Sequence, residues 1–147
     1  MNPATPQIEL DDWFVEIAGQ VRGRVILPGA EGIDPTTERI REVRVSLRYE
    51  TDGRGDRDRW TGPAEAFDVN VDGSLHGQFS LDVPADAPIS YDGSLFRVRW
   101  AVEARTDLRM RIDRKTSLEF VVIPVGGHGY YRQPHPLPPT TPWSTER

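Results

Sequence analysis

The sequence predicts an all-β protein, two antiparallel sheets packed as a sandwich. Three observations predict it. Apolar and polar residues alternate at every second position in segment after segment, the period of a half-buried strand. Gly, Pro, Asn and Asp punctuate those segments at short intervals. The clearest stretch, Phe79 to Arg105, holds two such strands with one apolar face each, and those faces need an opposing sheet to cover them.

That stretch reads FSLDVPADAPISYDGSLFRVRWAVEAR. Phe79, Leu81 and Val83 share one face, and Pro84 stops the strand because it cannot donate to a ladder. Ala85 to Ser94 reads as a long turn held by Pro88 and ending in Asp92-Gly93. In the second strand Phe96, Val98, Trp100, Val102 and Ala104 point inward, with Trp100 central to the core. Arg97, Arg99, Ala101, Glu103 and Arg105 point out.

The other elements follow in order. Residues 1–11 read as a flexible lead-in. Trp13, Val15 and Ile17 mark a short strand. Val21, Gly23, Val25 and Leu27 form the inward row of the next, and Gly23 in mid-strand signals a bulge or a close backbone approach. Pro28 to Thr37 is a loop; with no Lys-Ser/Thr after its glycines it is not a phosphate-binding loop. Glu38 to Glu50 suits either a helix or a strand, and its β-branched and aromatic residues favour the strand.

Asp52 to Arg59 reads as a charged hairpin tip. Phe67, Val69 and Val71 alternate up to a turn at Asp72-Gly73, and Leu75 to Val83 follows. A turn at Thr106-Asp107 precedes a strand through Leu108, Met110 and Ile112. Asp113 to Lys115 turns again, and Leu118, Phe120 and Val122 form the last strand, ended by Pro124. The total is about eight or nine short strands. The domain spans 12–125, and 126–147 is a Gly- and Pro-rich tail with no periodicity, partly polyproline-like.

A chain of 147 residues fits one domain. The absence of cysteine excludes disulfides, thiolate metal sites and a cysteine nucleophile. The N-terminus lacks the basic-then-apolar pattern of a secretory signal. No apolar run approaches the roughly 18 residues of a membrane span. The expected location is the cytoplasm. A net charge of −5 argues against nucleic acid as a partner. Seventeen Arg stand against one Lys, which fits the codon usage of a GC-rich genome.

Three blocks resemble the arrestin N-terminal domain and its bacterial relatives, the sporulation-control family. They are AGQVRGRVIL (Ala18 to Leu27), IREVRVSLRYE (Ile40 to Glu50) and the stretch from Phe79 to Asp107. The third is the most specific: a Phe-led strand, Pro, a polar link, Pro-x-Ser-Tyr-x-Gly, then a strand reading Val-x-Trp-x-Val-x-Ala. The resemblance covers roughly residues 13 to 124. It implies an immunoglobulin-like sandwich of the arrestin type, used as an adaptor or scaffold without catalysis. Arrestins pair two such sandwiches and this chain has room for one. Their phosphate-sensing lysines have no counterpart here, so phosphoreceptor recognition is not carried over.

Several short patterns are weighed and set aside. Arg54-Gly55-Asp56 is a tripeptide that recurs by chance in an Arg- and Gly-rich chain. Asp68 to Gly73 opens like a calcium loop, but its last position falls on Phe79, where a bidentate Glu is required. A loose cation contact near Asp72 stays open. Asp52, Asp56 and Asp58 interleave with Arg54, Arg57 and Arg59 as a self-neutralising loop. His76, His128 and His135 are too scattered for a metal triad, and no serine sits in a nucleophile elbow. No cofactor, metal or catalytic residue is expected.

Two sets of residues are candidates for binding a partner. One is the outward row Arg22, Arg24, Arg44, Arg48, Arg97 and Arg99, which forms a basic patch if these strands are neighbours; the competing reading is a solvated face paired with Glu42, Glu50 and Glu103. The other is the tail, where Tyr130, Tyr131 and Trp143 are anchors for an interface or incidental residues of a loose end. The leading functional expectation is an interaction module for a protein partner. Behind it stand a structural subunit that self-assembles through the tail and a small-ligand or carbohydrate-binding sandwich with Trp60 or Trp143 as platform. An enzyme comes last.

Overall fold

The computed structural model describes residues 5–28, 40–53, 56–70, 72–108 and 114–126; at 40–41, 56–57 and 107–108 it describes the backbone alone. Among the described residues ten strands follow one another: β1 (Gln7–Leu10), β2 (Phe14–Glu16), β3 (Gln20–Pro28), β4 (Ile40–Gly53), β5 (Asp56–Thr61), β6 (Glu65–Asp68), β7 (Ser74–Asp82), β8 (Tyr91–Asp92), β9 (Phe96–Leu108) and β10 (Arg114–Ile123). No helix occurs among the described residues.

The strands make two sheets. The smaller has the order β1-β3-β7, and the larger the order β2-β10-β9-β4-β5, with β6 also on β4 and β8 on β9. The predicted sandwich is therefore the observed fold. Among the described residues one pairing departs from an antiparallel arrangement: β2 runs parallel to β10, Phe14 to Glu16 against Val121 to Ile123.

The core lies where the inward rows face each other. Val21, Val25, Leu27, Phe79 and Leu81 from the small sheet meet Val43, Val45, Leu47, Trp100, Val102, Phe120 and Val122 from the large one, all buried. Trp100 has 0% of its surface exposed. Its ring contacts Tyr49, Phe120 and the edge-on Trp60, with centroids 4.9, 6.0 and 5.9 Å away. Burying a large aromatic in such a cluster contributes both area and ring geometry.

Gly23 sits where the sequence called for a close approach. A Cβ there would lie 2.2 Å from the carbonyl oxygen of Glu9 and 2.8 Å from the Phe79 ring. Glycine lets β1 come down onto β3, in a register pairing Gln7 with Ile26 and Leu10 with Gly23.

Four expectations are corrected. Gln7–Leu10 is a strand and not part of a lead-in. Thr106 and Asp107 make no turn: β9 continues through them, pairing with Val43 and Glu42, and Thr106 is fully buried with its hydroxyl donating to the Arg114 carbonyl at 3.1 Å. Arg114 and Lys115 likewise belong to β10, opposite Thr106 and Arg105. The Asp52–Arg59 segment is mostly ladder, since β4 and β5 pair from Arg48–Thr61 to Gly53–Asp56.

Candidate interaction surfaces

The outward face of the large sheet is set by register. Arg48 lies opposite Ala101, Ser46 opposite Glu103, Glu50 opposite Arg99 and Asp52 opposite Arg97. On the far side Ser117 faces Glu103 and Glu119 faces Ala101. Cations and carboxylates thus alternate across the strands, the arrangement that stabilises opposed pairs. Arg48 Nη1 donates to Glu103 Oε2 at 2.7 Å, with side chains only 15% and 10% exposed. Arg105 Nη2 reaches the other oxygen of Glu103 at 3.5 Å.

Arg99 grips Glu119 with two nitrogens, at 2.9 and 3.4 Å. The hydrogen bond that Arg99 donates to Glu119 holds its guanidinium above its ordinary pKa, helped by the charges of Glu119, Glu50 and Asp92 and opposed by partial burial. Arg97 pairs with Asp92 at 3.1 Å and Arg44 with Glu42 at 2.6 Å.

Arg22 and Arg24 lie elsewhere. Both are on β3, in the other sheet, so they face away on the opposite side of the sandwich. Arg24 bonds Glu9 at 2.5 Å and Arg22 bonds Gln20 at 2.8 Å. The six arginines therefore do not form one patch. Strand order separates them, and five of the six are each matched to a carboxylate. What the large sheet presents is a neutralised mosaic over buried Ala101, Ser46 and Ser117.

A second surface is built by the segment from Pro88 to Phe96. Its path is fixed at several points. The Trp100 indole donates to the Pro88 carbonyl at 2.9 Å. Ser90 N–H donates to the Val122 carbonyl at 2.9 Å, and Val122 N–H donates back to the Ser90 hydroxyl at 2.8 Å. Tyr91 and Asp92 pair with Val98 and Arg97, and Gly93 N–H bonds the Phe96 carbonyl at 3.0 Å. The Pro-x-Ser-Tyr-x-Gly pattern is thus an architectural motif.

The same segment shows apolar side chains to solvent. Tyr91 and Phe96 stack on each other at 4.5 Å yet stay 48% and 49% exposed, and Leu95 and Ile89 are 64% and 39% exposed. Alternation alone placed Phe96 inward. It has the inward parity, but it stands at the start of β9, where its ring meets Tyr91 and not the core. The signal available in the sequence was three large apolar residues, Ile89, Leu95 and Phe96, at a turn.

A third feature is a cleft of about 290 Å³ between the edges of the two sheets. It opens because β5 stops at Thr61 and β6 begins at Glu65. Pro63 lies between them and cannot carry the ladder on. Leu47, Trp60 and Leu81 line the cleft, with Glu65 and Asp82 among its polar residues. Trp60 is half-buried and stacks on Tyr49 at 5.4 Å, so one face of its ring is already used.

At the β6–β7 turn, Gly73 has φ +82° and its N–H bonds the Asn70 carbonyl at 2.8 Å. Asp72 Oδ1 accepts from the Ser74 hydroxyl at 2.6 Å and from the Ser74 N–H at 2.9 Å. These bonds hold the Asp72 carboxyl below the usual carboxylate range. Among the described residues no three His, Cys, Asp or Glu gather as a metal site. Tyr130, Tyr131, Trp143, His128 and His135, Arg54-Gly55 and the Asp56 side chain lie outside the described residues. Among the described residues no helix is long and apolar enough to cross a membrane.

The fold is an arrestin-like β-sandwich. The fold is similar to the crystal structure of Spo0M, a sporulation control protein from Bacillus subtilis, with a TM-score of 0.59 and 17% sequence identity. The match covers 80% of this chain and 48% of that one, so the chain spans about half the length of its structural neighbour. No protein-family model and no curated protein matches the sequence.

Proposed function

We propose that the chain is a non-catalytic protein-interaction module, an adaptor or scaffold acting in the cytoplasm. The arrestin-like fold supports a regulatory or adaptor role. The observation that carries the reading is the preassembled apolar hairpin: Ile89, Tyr91, Leu95 and Phe96 are exposed on a backbone anchored to β9 and β10. Exposed apolar clusters of this kind mark interaction sites, and a rigid presentation lowers the ordering cost of binding. The arginines are a weaker candidate, because most already spend their charge on a neighbouring carboxylate.

Affinity capture from the native cell with Leu95→Ser/Phe96→Ser tests it. The variant should keep its melting temperature within a few degrees, because both residues are exposed, and lose the captured partner. Capture of the same partner by the folded variant would remove the hairpin from consideration. Light scattering on the isolated chain separates the adaptor from a self-assembling subunit joined through 126–147: an adaptor elutes as a monomer.

A further inference from the structure

We propose that the cleft between β5–β6 and β7 is a docking site for a short extended peptide of alternating apolar and basic residues, added as a strand to the free edge of β7. The inference rests on the reading of the chain as an interaction module and names a second site, separate from the hairpin.

The backbone of β7 is prepared for it. Among the described residues β7 has a ladder partner on one side only, β3. Val83 N–H bonds the Gly19 carbonyl, which fixes the alternation of the antiparallel ladder. Leu81 and Phe79 turn their backbone groups to β3, while Ser80 and Asp82 turn theirs to the open side. Among the described residues the Ser80 N–H meets a side chain there and not a strand: it donates to Glu65 Oε2 at a long 3.4 Å. Glu65 occupies the edge where the carbonyl of an added strand would sit.

The side chains define the occupant. A strand on this edge would send every second residue inward, against Leu47, Trp60 and Leu81, and the others outward beside Asp82. The inward positions require an apolar residue. The lining has two carboxylates, Glu65 and Asp82, and no cationic residue. Displaced from Ser80 by the added strand, Glu65 would turn to the rim and meet a basic residue of the peptide there. The volume, about 290 Å³, lies at the small end of ligand sites and accommodates a stretch of a few residues. Strand addition with alternate side chains in pockets is an established recognition mode.

The test uses the full chain, isotope-labelled, with acetyl-Lys-Val-Lys-Val-Lys-amide as probe. Two controls share its length: Glu in place of Lys, and Gly in place of Val. The Lys-Val peptide should shift the amide resonances of Ser80, Leu81 and Asp82 and the indole resonance of Trp60, and both controls should bind more weakly. Glu65→Gln/Asp82→Asn should weaken binding by about fivefold or more, the scale of two exposed charge pairs. Absence of those shifts, equal binding by the Gly control, or shifts spread over other acidic sites would overturn the cleft. Loss of the cleft with hairpin-dependent capture intact would leave the interaction-module reading standing; loss of capture with peptide binding intact would do the reverse.

Discussion

Trp100 and Pro88 are joined by a single hydrogen bond of 2.9 Å, from the indole N–H to the proline carbonyl. The most buried aromatic of the large sheet is thereby tied to the loop that carries the exposed hairpin. A core residue and a surface feature share one fixed point.

Two substitutions at Trp100 separate its packing from its bond. Trp100→Ala should cost about 3–5 kcal/mol, the range for removing a large buried aromatic. Trp100→Phe should cost less, about 1–3 kcal/mol, mainly for leaving the Pro88 carbonyl unpaired. Chemical denaturation measures both. A cost near zero for Trp100→Phe would mean the bond contributes nothing.

Gly23→Ala places a methyl group 2.2 Å from the Glu9 carbonyl oxygen. The backbone of β1 has to move, and overpacking of this kind costs about 1–3 kcal/mol. Hydrogen exchange at residues 7–10 should accelerate more than exchange in β9. A variant with native protection in β1 would contradict the close approach.

Ala18 has φ +65° in the turn where Gly19 N–H bonds the Glu16 carbonyl at 2.8 Å. The left-handed conformation costs a non-glycine residue about 1–2 kcal/mol. Ala18→Gly removes that strain but frees the unfolded chain. The net expectation is a gain of roughly 0.5–1 kcal/mol, seen as a higher melting temperature.

The Asp72–Ser74 pair gives a pH signature. A carboxyl whose pKa is lowered by folding stabilises the native state above its unfolded value, and that contribution fades as pH falls through the folded value. Carbon-detected NMR should therefore find the Asp72 midpoint below the usual carboxylate range. Ser74→Ala should raise it toward that range, since the hydroxyl is the largest cause of the shift. An unmoved midpoint would assign the shift elsewhere.

Arg48 and Glu103 should behave as a coupled pair. Arg48→Met leaves a mostly buried carboxylate short of its nearest cation, at a cost of about 2–4 kcal/mol, below the 3–5 of a fully buried pair because some exposure remains. Adding Glu103→Gln should recover part of it in a double-mutant cycle. Additive costs would show that the two do not interact.

The fold was legible where local alternation and tertiary burial agree. In β9, Val98, Trp100, Val102 and Ala104 alternate in sequence and are all buried. β1 was hidden because Gln7 to Leu10 offers only Ile8 and Leu10 as an apolar row, too short to stand out from a polar terminus. The run through Thr106 was misread because a buried Thr, bonded to Arg114, looks like a turn residue in isolation. The arginine row shows the larger limit. Side-chain parity placed each arginine outward, but strand order decides which arginines share a face, and that order comes from pairings between distant residues. The cleft depends on the same long-range order, with Pro63 as its one local sign.

The parallel pairing of β2 with β10 bears on the order in which the molecule is made. Phe14 emerges well before its ladder partner Val121, which comes in the last strand of the sandwich. Until then β2 has no strand to lie against, and the large sheet is two strands short at that edge, lacking both β10 and β2. Closure across so long a separation carries a high loop entropy and slows folding. The last strand thus acts as a completion signal. A nascent chain shorter than Ile123 should remain open to proteases and chaperones, and gain its resistance in one late step.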